Sequence, residues 1–380
     1  MKILIGIGII CIIIIAALIM AIIPQNTTGA FFISEKQPIK IGYIGPLTGS
    51  AASIGGGQVK AVELAVNEIN SKEGINGRKI ELIIEDGACD GKTAINAANK
   101  LINIDNVKYI IGGQCSAETI AIAPLAEQNK VIVLSPLSSN PSISSMGDYI
   151  FRNYPSDSYQ GKIAAQYIKN KIGINNVAVL TSLNDWSNGL KNEFENEFKA
   201  LGGKVVLIKE YKKDTLDLKS ELSEIKNSNA ELIYMPDYTA STISAIKQKN
   251  ELGINTPFFG ADAWMDTTIW NEVGDISEGI KFTSTKDNTS QEFKTKFNDS
   301  YPNSEITLGA TNNYDAVYII SNAIKSCGED TAKVKECLYN MPAHKGISGI
   351  TAFDQNGDLR NQAYEIKYIH NKEIETLEIV

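Results

Sequence analysis

Side chains able to act as nucleophile, general base or metal ligand are few and scattered in this chain. Its two histidines, His344 and His370, lie in separate segments near the end and read as loop or surface residues. No Cys/His spacing of a zinc site is present, and no G-x-S-x-G elbow occurs. Gly91-Lys92-Thr93 has the ending of a phosphate-binding loop, but that motif needs a glycine five positions earlier, where Asp86 stands. Gly55-Gly56-Gly57 opens a helix after a strand and could offer N–H groups to an anion, although a plain turn and helix start is the better account. The expectation is a chain with no catalytic residue, no metal site and no cofactor, which binds without transforming.

The cysteines and charge say where such a chain works. Setting Cys11 aside, Cys89, Cys115, Cys327 and Cys337 remain, an even number that suits two disulfides in an exported protein. Four cysteines allow three pairings, and buried free thiols are the alternative. From Ile3 to Ile23 the chain is apolar or glycine apart from Cys11, a run of about 20 residues and long enough to cross a bilayer. It ends in Ile22-Ile23-Pro24-Gln25 without a small-x-small cleavage site, which favours an uncleaved anchor over a cleaved signal sequence. Cys11 lies mid-run with the wrong neighbours for a lipoprotein cysteine. Each variant puts residues 35–380 outside the cytoplasm, held at the outer face of the membrane or released from it. A net charge of −8 argues against a nucleic-acid partner.

The elements that must position any site alternate regularly. After a tether over 25–37, Ile39–Ile44 is a short apolar strand, followed by Val59, Val62, Val66 and Ile69 at helical spacing up to Gly74. Strands over 79–85, 107–111 and 131–135 follow, separated by helices. The pattern restarts after Asp157, with strands over 176–181, 204–208, 230–235 and 257–260. Three helices over 290–339 and strands near 350–353, 363–369 and 373–379 close the chain. Such alternation predicts an α/β protein of two doubly wound parallel-sheet lobes with a multi-crossover hinge. The expected division is 1–24 anchor or signal, 38–156 plus 285–360 first lobe, and 157–284 plus 361–380 second lobe. Ligands of open α/β sheets sit beyond the carboxyl ends of the strands, so loops that follow strands should build the cleft.

Five segments in order then resemble a known family: IKIGYIGPLTGSAASIGGGQVKAVELAVNEINSKEGINGRKIELIIEDGACD, YIIGGQCSAETIAIAPLAEQNKVIVLSP, YIFRNYPSDSYQGKIAAQYI, YDAVYIISNAI and GITAFDQNGD. Over roughly 38–370 the chain resembles the binding proteins for branched-chain amino acids, of the type I periplasmic binding protein fold. The resemblance implies a cleft that closes around an amino acid and hands it to the permease subunits of an ATP-driven importer. It implies Ser116, at a helix start, for the ligand carboxylate. It implies the Leu137 carbonyl and Ser138–Ser139 for both charged ends, with Ser139 where the family usually has Thr. Trp186 stands where Tyr is frequent, Tyr238 matches a second cleft aromatic, and Asp262 would pair with the ammonium where some members carry the longer Glu. Ile54 would line the side-chain pocket. The resemblance also implies a Cys89–Cys115 disulfide and leaves Cys327 and Cys337 as a second pair that it does not cover. Rival readings are a sensor ectodomain, a binder of an amide or urea-like solute, and an enzyme with an unrecognised site.

Overall fold

A computed structural model describes residues 37–49, 51–360 and 363–380; the apolar run over 3–23 and most of the tether lie outside them. The first sheet starts with β1 (Ile39–Gly45), followed by helix α1 (Ala52–Ser71) and β2 (Ile80–Asp86). Helix α2 (Gly91–Asn99) continues as a wider turn to Ile104, and β3 (Tyr109–Ile111), α3 (Ser116–Asn129), β4 (Ile132–Ser135) and β5 (Ile150–Arg152) complete the layer. The strands are parallel in the order β2-β1-β3-β4-β5. Alternation along β1 sends Ile39, Ile41 and Tyr43 to one face and Ile44 to the other, so each face buries its own helices. α2 and α3 cover the second face. α1 covers the first with helices from near the chain end: α9 (Gln291–Ser300), α10 (Ala310–Cys327) and α11 (Thr331–Asn340).

The second layer repeats the scheme. Its elements are α4 (Asp157–Gln166), β6 (Asn176–Leu183), α5 (Asp185–Ala200), β7 (Lys204–Lys212), α6 (Lys219–Lys226), β8 (Leu232–Tyr234), α7 (Thr239–Glu251), β9 (Phe258–Gly260), α8 (Thr267–Val273) and β10 (Lys281–Thr285). The order β7-β6-β8-β9-β10 is again parallel. The sheet is then extended by β13 (Tyr364–His370) and β14 (Glu373–Ile379), both antiparallel to their neighbours. The doubly wound parallel core of this sheet thus carries an antiparallel edge. The hairpin turns through Asn371 and Lys372, both with positive φ, as a two-residue turn of matching twist requires. A small ladder of β11 (His344–Lys345) and β12 (Ile350–Thr351) lies between.

Three of these strands have no counterpart in the sequence pattern: β5, β10 and the two-residue β11. The chain passes from one sheet to the other between β5 and α4, between β10 and α9, and between β12 and β13. In both sheets the parallel strands follow the same order, with the direction of winding reversing between β1 and β3 and between β6 and β8. Such reversal points open a crevice at the carboxyl ends of the strands.

Both disulfides are formed. Cys89–Cys115, with Cα atoms 5.2 Å apart, joins the loops after β2 and β3; Cys327–Cys337, at 6.5 Å, joins the end of α10 to α11. Free thiols at these positions are excluded. Among the described residues no group of His, Cys, Asp and Glu is placed to hold a metal, and no helix is long and apolar enough to cross a membrane.

Candidate functional site

The loops at the two reversal points face each other. On the first sheet, the chain leaving β3 turns at Gly112, whose φ of 134° favours glycine and where a Cβ would strike the Ile44 carbonyl. It then enters α3 at Ser116. The first-turn N–H groups of a helix lack intrahelical acceptors and carry partial positive charge, so Ser116 stands where an anion is favoured. Its hydroxyl accepts the N–H of Asn140 at 3.2 Å, binding this loop to the one after β4. On the second sheet, Trp186 follows β6, Tyr238 caps α7 after β8, and Asp262 follows β9. Asp237 fixes the first two: its carboxylate accepts the Ser182 N–H (3.0 Å), the Ser182 hydroxyl (2.9 Å) and the Tyr238 N–H (2.7 Å). The rings of Trp186 and Tyr238 stand 4.9 Å apart, well inside aromatic contact.

These residues enclose a cavity of about 30 Å³. Ile54, Ser116, Leu137, Ser139, Trp186, Tyr238 and Asp262 all line it, with Gln114, Cys115, Ala263 and Leu308. Ser138 does not. Its hydroxyl turns inward to the Gly113 carbonyl (2.9 Å) and to Thr119 (2.7 Å), where it braces the loop after β3. The placement of Ser138 among the contacts is therefore corrected to a supporting one. A larger cavity of about 430 Å³ lies at the crossovers, walled partly by the exposed Lys286, Asp287 and Asn288. The buried Asp262 carboxylate lines the smaller one.

The electrostatics are one-sided. Asp262 is buried; its Oδ2 accepts the Tyr154 hydroxyl at 2.6 Å, while Oδ1 is buried without a hydrogen-bond partner. Asp157, at the first position of α4, is fully buried beside it. The Ser139 hydroxyl donates to its Oδ2 at 2.9 Å, and again Oδ1 has no partner. Burial pushes both carboxyls up, Asp157 well above the usual range because Asp262 also repels its charge. The hydrogen bond from Tyr154 holds Asp262 down in part. Arg152, the nearby cation, is committed to Asp358 at 2.6 Å and to the Asn140 carbonyl at 2.9 Å. Among the described residues lining the cavity there is no Lys, Arg or His. Two buried carboxylates without a resident cation favour a ligand that brings one.

Asp157, Tyr154 and Leu308 escaped the sequence reading. Asp157 follows Ser156, whose hydroxyl caps α4, so in sequence it is an ordinary acidic residue of a helix first turn. Tyr154 lies in the first crossover and Leu308 in the loop between α9 and α10, and no local pattern marks either.

Around the rim, side chains of one layer already bond the other. Ser53 donates to Asp266 Oδ2 at 2.6 Å, Asn140 to the Asp185 carbonyl at 2.6 Å, Lys213 to the Cys89 carbonyl at 2.7 Å, and Thr267 to Glu305 at 2.9 Å. The cleft is shut. A cavity of about 30 Å³ holds roughly a water molecule, so anything as large as an amino acid enters only when the walls part.

Comparison with known proteins decides what kind of cleft this is. Residues 38–369 match the family model described as periplasmic binding protein. The chain belongs to the periplasmic binding protein family. Among its relatives, a leucine-, isoleucine-, valine-, threonine- and alanine-binding protein of Pseudomonas aeruginosa is 30% identical over 351 residues, covering 90% of this chain and 92% of that one. A leucine-binding protein from Thermotoga maritima superposes with a TM-score of 0.83 at 27% identity, covering 90% of this chain and 98% of the other. A branched-chain amino acid transporter substrate-binding protein of Streptococcus pneumoniae, solved in complex with isoleucine, gives 0.82 at 26% identity, with 90% and 99% covered. These matches carry the two-sheet fold and a solute-binding role outside the cytoplasm to this periplasmic binding protein.

Proposed function

We propose that this protein captures an amino acid with an aliphatic side chain in the cleft between its two sheets and delivers it to a membrane permease powered by ATP. The observation that carries the reading is a pair of buried carboxylates, each with one oxygen unpartnered: Asp262 lines the cavity with Ser116, and Asp157, bonded to the lining Ser139 hydroxyl, lies close enough to feel the charge of Asp262. An ammonium between the two aspartates would supply the missing donors, and a carboxylate would lie against Ser116 and Ser139. Ile54, Leu137, Leu308 and the Trp186–Tyr238 pair would take the apolar side chain. The relatives that bind leucine, isoleucine and valine support this ligand class.

The lobes of the mechanism are 38–156 with 285–360 and 157–284 with 361–380. The open form would take the ligand onto Ser116 and Ser139, and closure would bring Trp186, Tyr238 and Asp262 across. A ligand shifts that balance only through its preference for the closed form. Cys89–Cys115 keeps the carboxylate loop in place in both forms. The apolar run over 3–23 would tether the protein to the outer face of the membrane.

Calorimetric titration of the full chain in detergent with leucine, isoleucine, valine, alanine and threonine tests the reading, with isoamylamine and isocaproate as probes lacking one charged end. Leucine or a near relative should bind with both charged ends required. Binding of urea or acetamide in place of every amino acid would overturn it.

A further inference from the structure

The loop that presents Ser116 is held by a side chain with no part in the contacts above. Glu118, in the first turn of α3, is fully buried. Its Oε2 accepts the N–H groups of Gln114 (2.7 Å) and Cys115 (3.0 Å), and its Oε1 that of Cys89 (2.9 Å). One carboxylate thus joins the loops after β2 and β3, in parallel with the Cys89–Cys115 disulfide. The fit is close enough that a Cβ on Gly87 or Gly113 would collide with the Glu118 side chain. Glu118 is also an anion already seated at the helix end to which a ligand carboxylate would come.

We propose that Glu118 is a positioning residue that holds the Gln114–Ser116 turn against the ligand carboxylate, and that its own ionisation opposes the binding of that carboxylate. The proposal rests on the amino-acid reading of the cleft. The titratable groups facing Glu118 are acidic or neutral, with one cation reaching the Cys89 loop from the second sheet. Asp86 ends β2 and repels it, Tyr43 on β1 and the Tyr238 hydroxyl lie within its field, and the cation Lys213 donates to the Cys89 carbonyl on the same loop. Burial, aided by Asp86, pushes Glu118 up to about 7 against the pull of its three N–H donors. A ligand carboxylate adds a second negative charge and raises the Glu118 carboxyl further. Binding therefore takes up a proton near neutrality, and affinity falls as pH rises past 7. If the ligand tightens the hold of Glu118 on its proton by about tenfold, affinity changes by at most about tenfold across the titration.

The test is titration of the full chain with leucine and with isoamylamine, which keeps the ammonium and lacks the carboxylate, from pH 6.5 to 8.5. Two buffers of different ionisation enthalpy report the proton uptake. The amine control removes the contribution of Asp157 and Asp262, which face the ammonium. The leucine dissociation constant should rise about three- to tenfold across the range while that of isoamylamine stays within twofold. In Glu118→Gln the leucine slope should flatten, with weaker binding at pH 6.5 because an amide NH₂ now faces backbone donors. A wild-type leucine profile that is flat, or that the amine shares, overturns the proposal without any variant. So does a Glu118→Gln protein that keeps the slope. Absence of binding by leucine and by every other amino acid at every pH overturns the amino-acid reading beneath it as well, whereas leucine binding without proton uptake overturns this proposal alone.

Discussion

Replacing Asp262 by asparagine removes one charge from the cleft and almost no volume. The new amide carbonyl can still accept the Tyr154 hydroxyl, which now meets Oδ2 of Asp262 at 2.6 Å, so the wall should keep its shape. A bound ammonium would lose one of two carboxylate partners. Charge-assisted hydrogen bonds contribute about 1.5–3 kcal/mol, which corresponds to roughly 10- to 150-fold in the leucine dissociation constant. The same change relieves the repulsion that Asp157 feels from Asp262 and removes a buried oxygen without a partner. The ligand-free protein should therefore melt higher, or at least no lower, at neutral pH. Isocaproate, a carboxylate with no ammonium, should bind better to the variant than to wild type. Calorimetry with the two ligands and a thermal melt without ligand read all three effects. Leucine affinity within twofold of wild type, or parallel changes for leucine and isocaproate, would refute the assigned ammonium site.

Because burial raises the Asp157 and Asp262 carboxyls in the folded state, their contribution to ligand-free stability is fully present below the unfolded carboxylate range. It is lost as pH rises through the raised folded values; ligand affinity runs the opposite way, falling in acid. Melting curves from pH 4 to 7.5 should show a slope that Asp157→Asn flattens. Replacing Cys89 and Cys115 together by Ser should cost about 3.5 kcal/mol by the chain-entropy model, and the Cys327/Cys337 pair about 2.7 kcal/mol, for closed segments of 26 and 10 residues. Urea unfolding under oxidising conditions checks both the losses and their order. Ser53→Ala breaks a bond made across the cleft to Asp266. A loss of about 0.5–1.5 kcal/mol should appear as a faster ligand off-rate with little change in on-rate, by stopped-flow tryptophan fluorescence.

The strand–helix alternation was legible because each buried parallel strand is a short apolar run, as in Ile39–Gly45 or Ile132–Ser135. β5 was not, since Ile150-Phe151-Arg152 ends in an arginine whose burial rests on Asp358 and the Asn140 carbonyl from other segments. β10 was not, since Phe282 stands among Lys, Thr and Ser whose burial depends on neighbouring strands. The lining residues were legible through family likeness and through their position after strands. Ser138 shows the limit: in a loop of consecutive serines, which hydroxyl faces the cleft depends on backbone direction, and the inward acceptor at Gly113 belongs to another loop. Asp157 shows another, for nothing local says that a helix first-turn acid will lie under Ser139 from a different segment.

The three passages of the chain between the sheets also bear on how the protein is made. The face of the first sheet that carries Ile39, Ile41 and Tyr43 is closed by α1 and by Val317, Ile320 and Ile324 of α10, more than 250 residues later. A growing chain therefore finishes its second parallel sheet before the first has its last cover. Contacts of such long sequence separation form slowly and leave apolar surface open meanwhile. Folding by halves from the N-terminus is closed to this topology. A chain truncated before α10 would expose that face and should be held by chaperones or aggregate, even though every residue of its first sheet is present.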